Sequence, residues 1–230
     1  MNMEKLSVPI AIVIAGILIA VALYYSNINP PKQVVNTAPT GTSGDIEMRA
    51  ITSEDHILGN PNADIIIVEY SDLECPYCKA FHSTLKQVMA DYGSNGKVAW
   101  VYRHFPIDQL HSKARKEAEA TECANELGGN EKFWQYINML YDTTNSNDSL
   151  DLAQLPIIAK NVGLDVKAFN ECLSSGRYSA KVEADYQDAV KAGGKGTPNS
   201  ILVSKDGTKT TVQGAQPYAN LKAIIDALLK

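Results

Sequence analysis

No stretch of the chain concentrates lysine and arginine, and the whole is mildly acidic, with a net charge of −5. Both facts argue against nucleic acid as a partner. No internal repeat is visible, so no array of stacked repeats is in view. Cysteine is scarce, with four in 230 residues. Only Cys75 and Cys78 lie close together, while Cys123 and Cys172 stand alone. A zinc site would want a second pair at short spacing, so zinc is a poor reading of the first pair. Apolar residues are not depleted and charge is not in excess, at 45% and 20%. That composition argues against a disordered or fibrous class.

What is present begins with an uncharged apolar run from Val8 to Tyr25, about 18 residues and near the minimum for crossing a bilayer. Two readings compete. A cleaved signal peptide needs a shorter apolar core and small residues at the cut, which Ala20-Val21-Ala22 supply. An uncleaved anchor needs the length found here, and Tyr24-Tyr25 suit the far membrane interface. The length favours the anchor. A buried helix of a soluble domain fits poorly, because every face is apolar and a polar tract follows. The expected organisation is a short cytoplasmic head and transmembrane signal-anchor at 1–25, a flexible linker at 26–50 rich in Pro, Gly and Thr, and one domain at 51–230. Lys5 and Lys32 give only a weak charge asymmetry. The orientation therefore rests on the usual behaviour of an anchor with a short head, which puts the domain outside the cytoplasm.

Within that domain, Asp64 to Tyr70 is a nearly continuous β-branched run bounded by turn residues, and reads as a strand buried on both faces. The stretch before it, Ile46 to Leu58, has no pattern that types it. Phe81, Leu85, Val88 and Met89 recur at helical spacing over about Lys79 to Asp91, and Lys97 to Arg103 alternates as a second strand. Helical patterns fill about 111–192, interrupted at Gly128-Gly129 and at Gly163. A strand at Ser200 to Val203, a hairpin turn at Lys205-Asp206-Gly207-Thr208, a return strand and an amphipathic helix from Gln216 to Leu229 close the chain. The fold class is α/β: a βαβ unit, an all-helical insert, then ββα.

Cys75-Pro76-Tyr77-Cys78 sits between the first strand and its helix. A cysteine at a helix N-terminus meets unpaired backbone N–H groups and the positive end of the dipole, so thiolate is favoured over thiol. Pro76 fits a first helical turn, where its missing N–H is not needed. The Cys75 thiolate can attack a disulfide, and Cys78, one turn inward, can resolve the mixed disulfide. Glu74, next to Cys75, is expected to oppose the fall in its pKa slightly.

At this point the chain resembles the DsbA-like branch of the thioredoxin superfamily, oxidoreductases that introduce or reshuffle disulfides outside the cytoplasm. The resemblance is carried by Asp55 to Asn60, by Val68 to Cys78, by Arg103-His104-Phe105-Pro106, by Lys132-Phe133-Trp134 and by Gly196-Thr197-Pro198. It implies a thioredoxin fold with an inserted helical subdomain. It implies that Thr197-Pro198 is a cis-proline loop lying against the dithiol and pairing with an extended client segment. Pro76 and Tyr77 join that client-binding set. It also implies that Glu69 is a buried acid beneath the dithiol, relaying the proton of Cys78. The competing reading of Glu69 is an outward-facing strand residue. His104 reads as a structural residue at a strand end, and Tyr136 and Tyr141 as core.

An oxidising compartment and an even cysteine count favour a second bridge, Cys123–Cys172, the pairing that leaves the dithiol functional. Two separate buried thiols are the alternative. The resulting expectation is a membrane-tethered thiol–disulfide oxidoreductase that oxidises cysteine pairs of secreted or envelope proteins. It would use no cofactor, no metal and no nucleic acid, and a membrane redox partner would reset it. A reductase or isomerase is the runner-up, and a module that holds a metal or client without turnover is the reading from a different class.

Overall fold

The computed structural model describes residues 46–230. The expected anchor and most of the linker lie outside the described residues. Among those described, no helix is long and apolar enough to cross a membrane.

Two strands form the middle of the fold. β2 spans Ile65–Ser71 and β3 spans Val98–His104, and they pair in parallel. Both are buried almost throughout, since helices cover both faces of the sheet. That burial explains why β3 needs no alternation between polar and apolar residues. The untyped lead-in supplies β1, His56–Leu58, antiparallel to β3. Three residues are too few to show a period, so the sequence gives no sign of this strand. The late hairpin, β4 (Asn199–Ser204) and β5 (Lys209–Gln213), completes a five-stranded sheet in the order β1-β3-β2-β4-β5, with β4 antiparallel to β2.

The crossover helix α1 runs Pro76–Val88 and buries Cys78, Phe81, His82, Leu85 and Val88. It ends three residues short of the expected Asp91, because Met89–Gly93 widens into a π-helical turn. The insert opens with α2, Ala114–Thr143, which breaks at Gly129 (φ 73°, ψ −174°), a backbone shape that favours glycine. The break lies where the Gly-Gly pair predicts it. α3 (Leu155–Asn161), α4 (Val166–Ser175) and α5 (Ser179–Lys191) follow, and α6 (Tyr218–Leu228) closes the fold.

Two features lock the insert onto the sheet. Phe133 and Trp134 of α2 drive into β3, with Trp134 4.6 Å from Trp100 and Phe133 5.9 Å from Tyr102, ring centre to ring centre. Arg103, fully buried, pairs with Asp55 at 2.8 Å and Asp188 at 2.7 Å, joining the lead-in to α5. Within the insert, Cys123 and Cys172 form a disulfide with Cα atoms 5.8 Å apart, tying α2 to α4 across 49 residues. Closing a loop of that length stabilises by up to about 4 kcal/mol in the chain-entropy account.

Candidate active site

The site grows from the turn that joins β2 to α1. Asp72 shapes it. One carboxylate oxygen accepts the Glu74 N–H at 2.8 Å; the other accepts the Ile107 N–H at 2.7 Å and faces His111 Nδ1 at 2.9 Å. The Asp72 carbonyl accepts the Cys75 N–H at 3.2 Å, and its own N–H donates to Cys78 Sγ at 3.4 Å. Side chain and backbone of one residue thus fix both cysteines.

Cys75 is the N-cap of α1 and Pro76 begins the helix. Cys75 is 5% exposed and Cys78 is fully buried, so only the first sulfur is open to attack. The Cys75 thiol is pulled down to about 6. Its chief cause is the Cys78 S–H donating to the Cys75 sulfur, which outweighs burial, helped by the Thr197 hydroxyl and the backbone N–H groups of Cys78 and Tyr77. Burial pushes the Cys78 thiol up, and the nearby Cys75 and Glu69 charges push the same way. The pair therefore holds one proton on Cys78 and a thiolate on Cys75.

Thr197 and Pro198 lie across from this sulfur. Their peptide bond is cis. The Thr197 carbonyl is 3.6 Å from Cys75 Sγ. A cleft of about 250 Å³ opens beside them, lined by Lys195 to Asn199 with Gln213 and Gly214. Tyr77, 66% exposed, stands on the rim of the dithiol.

Glu69 is fully buried, not turned outward. Its Oε1 accepts from Ser71 Oγ at 2.8 Å and its Oε2 from Trp100 Nε1 at 3.0 Å. Burial raises its carboxyl to about 8 against those two hydrogen bonds, and the Cys75 charge adds to the rise. Its charge is felt by the Cys78 thiol, so the two groups lie within electrostatic reach of one another.

Glu74 directly precedes Cys75 in the chain. Its carboxylate is buried and turned to the insert, accepting from Thr144 Oγ1 at 3.0 Å and Leu150 N at 3.2 Å. It is not among the largest influences on the Cys75 thiol. Glu117 sits against it, and burial together with the Glu74 charge raises Glu117 to about 9. His104 is buried against Glu122 at 3.1 Å, which His56 also reaches at 2.8 Å. Burial works against the Glu122 charge, but these two imidazoles hold its carboxyl well below the usual range. His104, Glu122 and Asp185 have the spacing of metal ligands. Their negative charge is already met by Lys181, 3.4 Å from Glu122, and Arg49, 2.9 Å from Asp185.

The structure therefore gathers Cys75, Cys78, Glu69, Thr197, Pro198, Pro76 and Tyr77 around one turn, with Cys123 and Cys172 elsewhere in the insert. Sequence reasoning gave no role to Ser71, Asp72, Trp100 or Tyr141. Ser71 had a signal: two residues from Glu69 on one strand, it shares the same face. Tyr141 had none, because only the docked insert brings it near.

Comparison with known proteins adds three findings. The family model described as thioredoxin matches residues 52–227. Among solved structures, the chain is similar to Pseudomonas aeruginosa DsbA2, at 26% identity and TM-score 0.64, covering 78% of this chain and 97% of that one. It is similar also to Wolbachia pipientis alpha-DsbA1, at 26% identity and TM-score 0.67, covering 77% and 92%. Among curated proteins, it is 33% identical over 148 residues to a Na(+)/H(+) antiporter NhaA 3 of Salinispora tropica. That match takes in 64% of this chain but 21% of the antiporter. The chain spans about a fifth to a quarter of the length of the curated relatives it matches.

Proposed function

The chain belongs to the thioredoxin family and is a protein thiol–disulfide oxidoreductase of DsbA-like fold, and from that premise we propose that it oxidises cysteine pairs of extracytoplasmic proteins while tethered to the membrane by its N-terminal segment. The observation that carries the direction is the asymmetry of the dithiol: Cys75 held near 6 and Cys78 held well up. A stabilised Cys75 thiolate stabilises the reduced form, which makes the disulfide form the stronger oxidant.

The mechanism follows from the geometry. A client thiolate attacks Cys75 Sγ, the partly exposed sulfur. The Cys75–Cys78 bond breaks and Cys78 leaves with the electron pair. Glu69, neutral below about 8, gives Cys78 the proton it needs, and the Asp72 N–H supports the sulfur as it leaves. A second client thiolate then attacks the client sulfur of the mixed disulfide. Cys75 departs as a thiolate, a good leaving group because its pKa is low. The client is oxidised by two electrons and the dithiol is reduced by two. The cleft beside Thr197 and Pro198 suits an extended client segment along the edge of the loop. A membrane redox partner would return the dithiol to its disulfide.

The reading is tested by mixing the oxidised protein with a reduced, unfolded two-cysteine test protein. Stoichiometric formation of the client disulfide, lost in Cys75→Ser, is the expected result. If the oxidised protein leaves the client reduced, while the reduced protein cleaves insulin disulfides rapidly, the chain is a reductase.

A further inference from the structure

Glu69 is not an isolated acid. Ser71 Oγ lies 2.8 Å from its Oε1 and 3.2 Å from Tyr141 Oη, and Tyr141 Oη lies 3.4 Å from Tyr102 Oη and 3.4 Å from the Asp72 carbonyl. All four side chains are buried, with exposures of 2% or less. Two of them, Glu69 and Ser71, come from β2, Tyr102 comes from β3 and Tyr141 comes from the insert.

The donor inventory gives this chain of hydroxyls a direction. An indole N–H can only donate, so Trp100 at 3.0 Å fixes Glu69 Oε2 as an acceptor in every state. Ser71 can donate or accept, so Oε1 is the better seat for a proton on Glu69. Ser71 Oγ then accepts from Oε1 and turns its own hydrogen to Tyr141, which turns its hydrogen to the Asp72 carbonyl. When Glu69 has given its proton to Cys78, Oε1 carries charge and needs a donor. Ser71 reverses and donates to Oε1, Tyr141 reverses and donates to Ser71, and Tyr102 donates to Tyr141. The hydroxyls pass no proton among themselves and only rotate; the one proton transferred is the carboxyl's, from Glu69 to Cys78.

We propose that Ser71, Tyr141 and Tyr102 are positioning residues for the exchange reaction: a reversible hydroxyl chain that stabilises Glu69 as a carboxylate at the moment Cys78 takes its proton. The inference rests on the reading of Glu69 as the proton donor to Cys78. It makes the insert part of the active site, because Tyr141 is the link that the thioredoxin core lacks on its own. The other titratable groups facing Glu69 are Cys75, the N-cap of α1, and Cys78 in its first turn. His82 of α1, packed 4.9 Å from Trp100 and 4.7 Å from Tyr141, is held near 4 by burial and stays neutral across the working range. On β4 the residue opposite Glu69 is Ser200, which carries no charge.

Losing a donor to the charged form raises a carboxyl pKa. Ser71→Ala is expected to raise Glu69 by about one unit, since a hydrogen bond to a charged group is worth one to two units. Tyr141→Phe, which keeps the ring, is expected to raise it by less. The readout is the protonated-carboxyl stretch of Glu69 in infrared spectra of the reduced, full-length protein, titrated with pH and assigned by subtracting the spectrum of Glu69→Gln. Exchange rate against pH is measured in parallel, where the matching inflection is expected to move upward in both variants and to vanish in Glu69→Gln. An unmoved carboxyl titration in Ser71→Ala and Tyr141→Phe overturns the hydroxyl chain. An inflection that survives in Glu69→Gln overturns the donor role of Glu69, and the carboxyl titration still decides the chain. Tyr141→Phe serves alone if Ser71→Ala does not fold.

Discussion

In the proposed reaction three side chains carry the chemistry: Cys75, Cys78 and Glu69. With Cys75 held near 6 rather than its ordinary 9, its alkylation by iodoacetamide is expected to rise through a midpoint about three units below that of a free thiol; a midpoint above 8 would contradict the thiolate. Cys75→Ser should abolish exchange, while Cys78→Ser should accumulate a mixed disulfide with client, visible on a non-reducing gel. The same environment costs stability. Glu69 and Glu117 are raised from 4.5 to about 8 and about 9. Each keeps a proton in the fold that the unfolded chain gives up above about 4.5. Their stabilising effect is therefore complete below 4.5 and is lost as pH rises through the folded values. His56 and His82 act in the opposite sense, being lowered from 6.5 chiefly by burial, so their contribution fades as pH falls below 6.5. Between 4.5 and 6.5 the two pairs offset one another; in the reduced protein Cys75, lowered from 9 to about 6, then works against the two carboxyls, so stability should decline from 6.5 to about 8 and level off above it. Glu69→Gln removes one cause of that decline. It is expected to gain about 1–3 kcal/mol at pH 8 relative to pH 5 in urea unfolding, and to slow exchange. An equal effect at both pH values would place the carboxyl's titration elsewhere.

Elements show how much of this was written in the sequence. β2 and the dithiol helix were legible because a β-branched run, turn residues and helical spacing all agree there. The break in α2 was legible because the backbone at Gly129 requires what Gly-Gly supplies. β1 was not, since its three residues are defined by pairing with β3 and not by any local pattern. The end of α1 was misplaced because the apolar spacing continues through Met89 while the backbone widens. Glu69 was legible only through resemblance, and Tyr141 only as core, because hydroxyl partners are set by how the insert docks. The inserted helices also hold the Cys123–Cys172 bridge. The double variant Cys123→Ser, Cys172→Ser is expected to lose about 2–4 kcal/mol in denaturant unfolding. Below its melting temperature it should oxidise client at an undiminished rate. Loss of exchange in the folded variant would show that the bridge takes part in the chemistry.

For the whole molecule, the acidic chain, its one dithiol, its stapled insert and the long apolar run before the described residues are the features behind the proposal of a tethered oxidant. Expressed in full in a bacterial host, the protein should sediment with membranes, resist extraction by carbonate, and expose its domain to protease added outside the cytoplasm. Protection from that protease would reverse the orientation. The reduction potential of Cys75–Cys78, measured by equilibration with glutathione, tests the central claim most directly. A Cys75 pKa near 6 lies between the values of about 7 for thioredoxin and about 3.5 for DsbA. The predicted potential is accordingly about −240 to −200 mV, more oxidising than the roughly −270 mV of thioredoxin. A value at or below about −270 mV would contradict an oxidant, and one below about −300 mV would make the pair a structural staple.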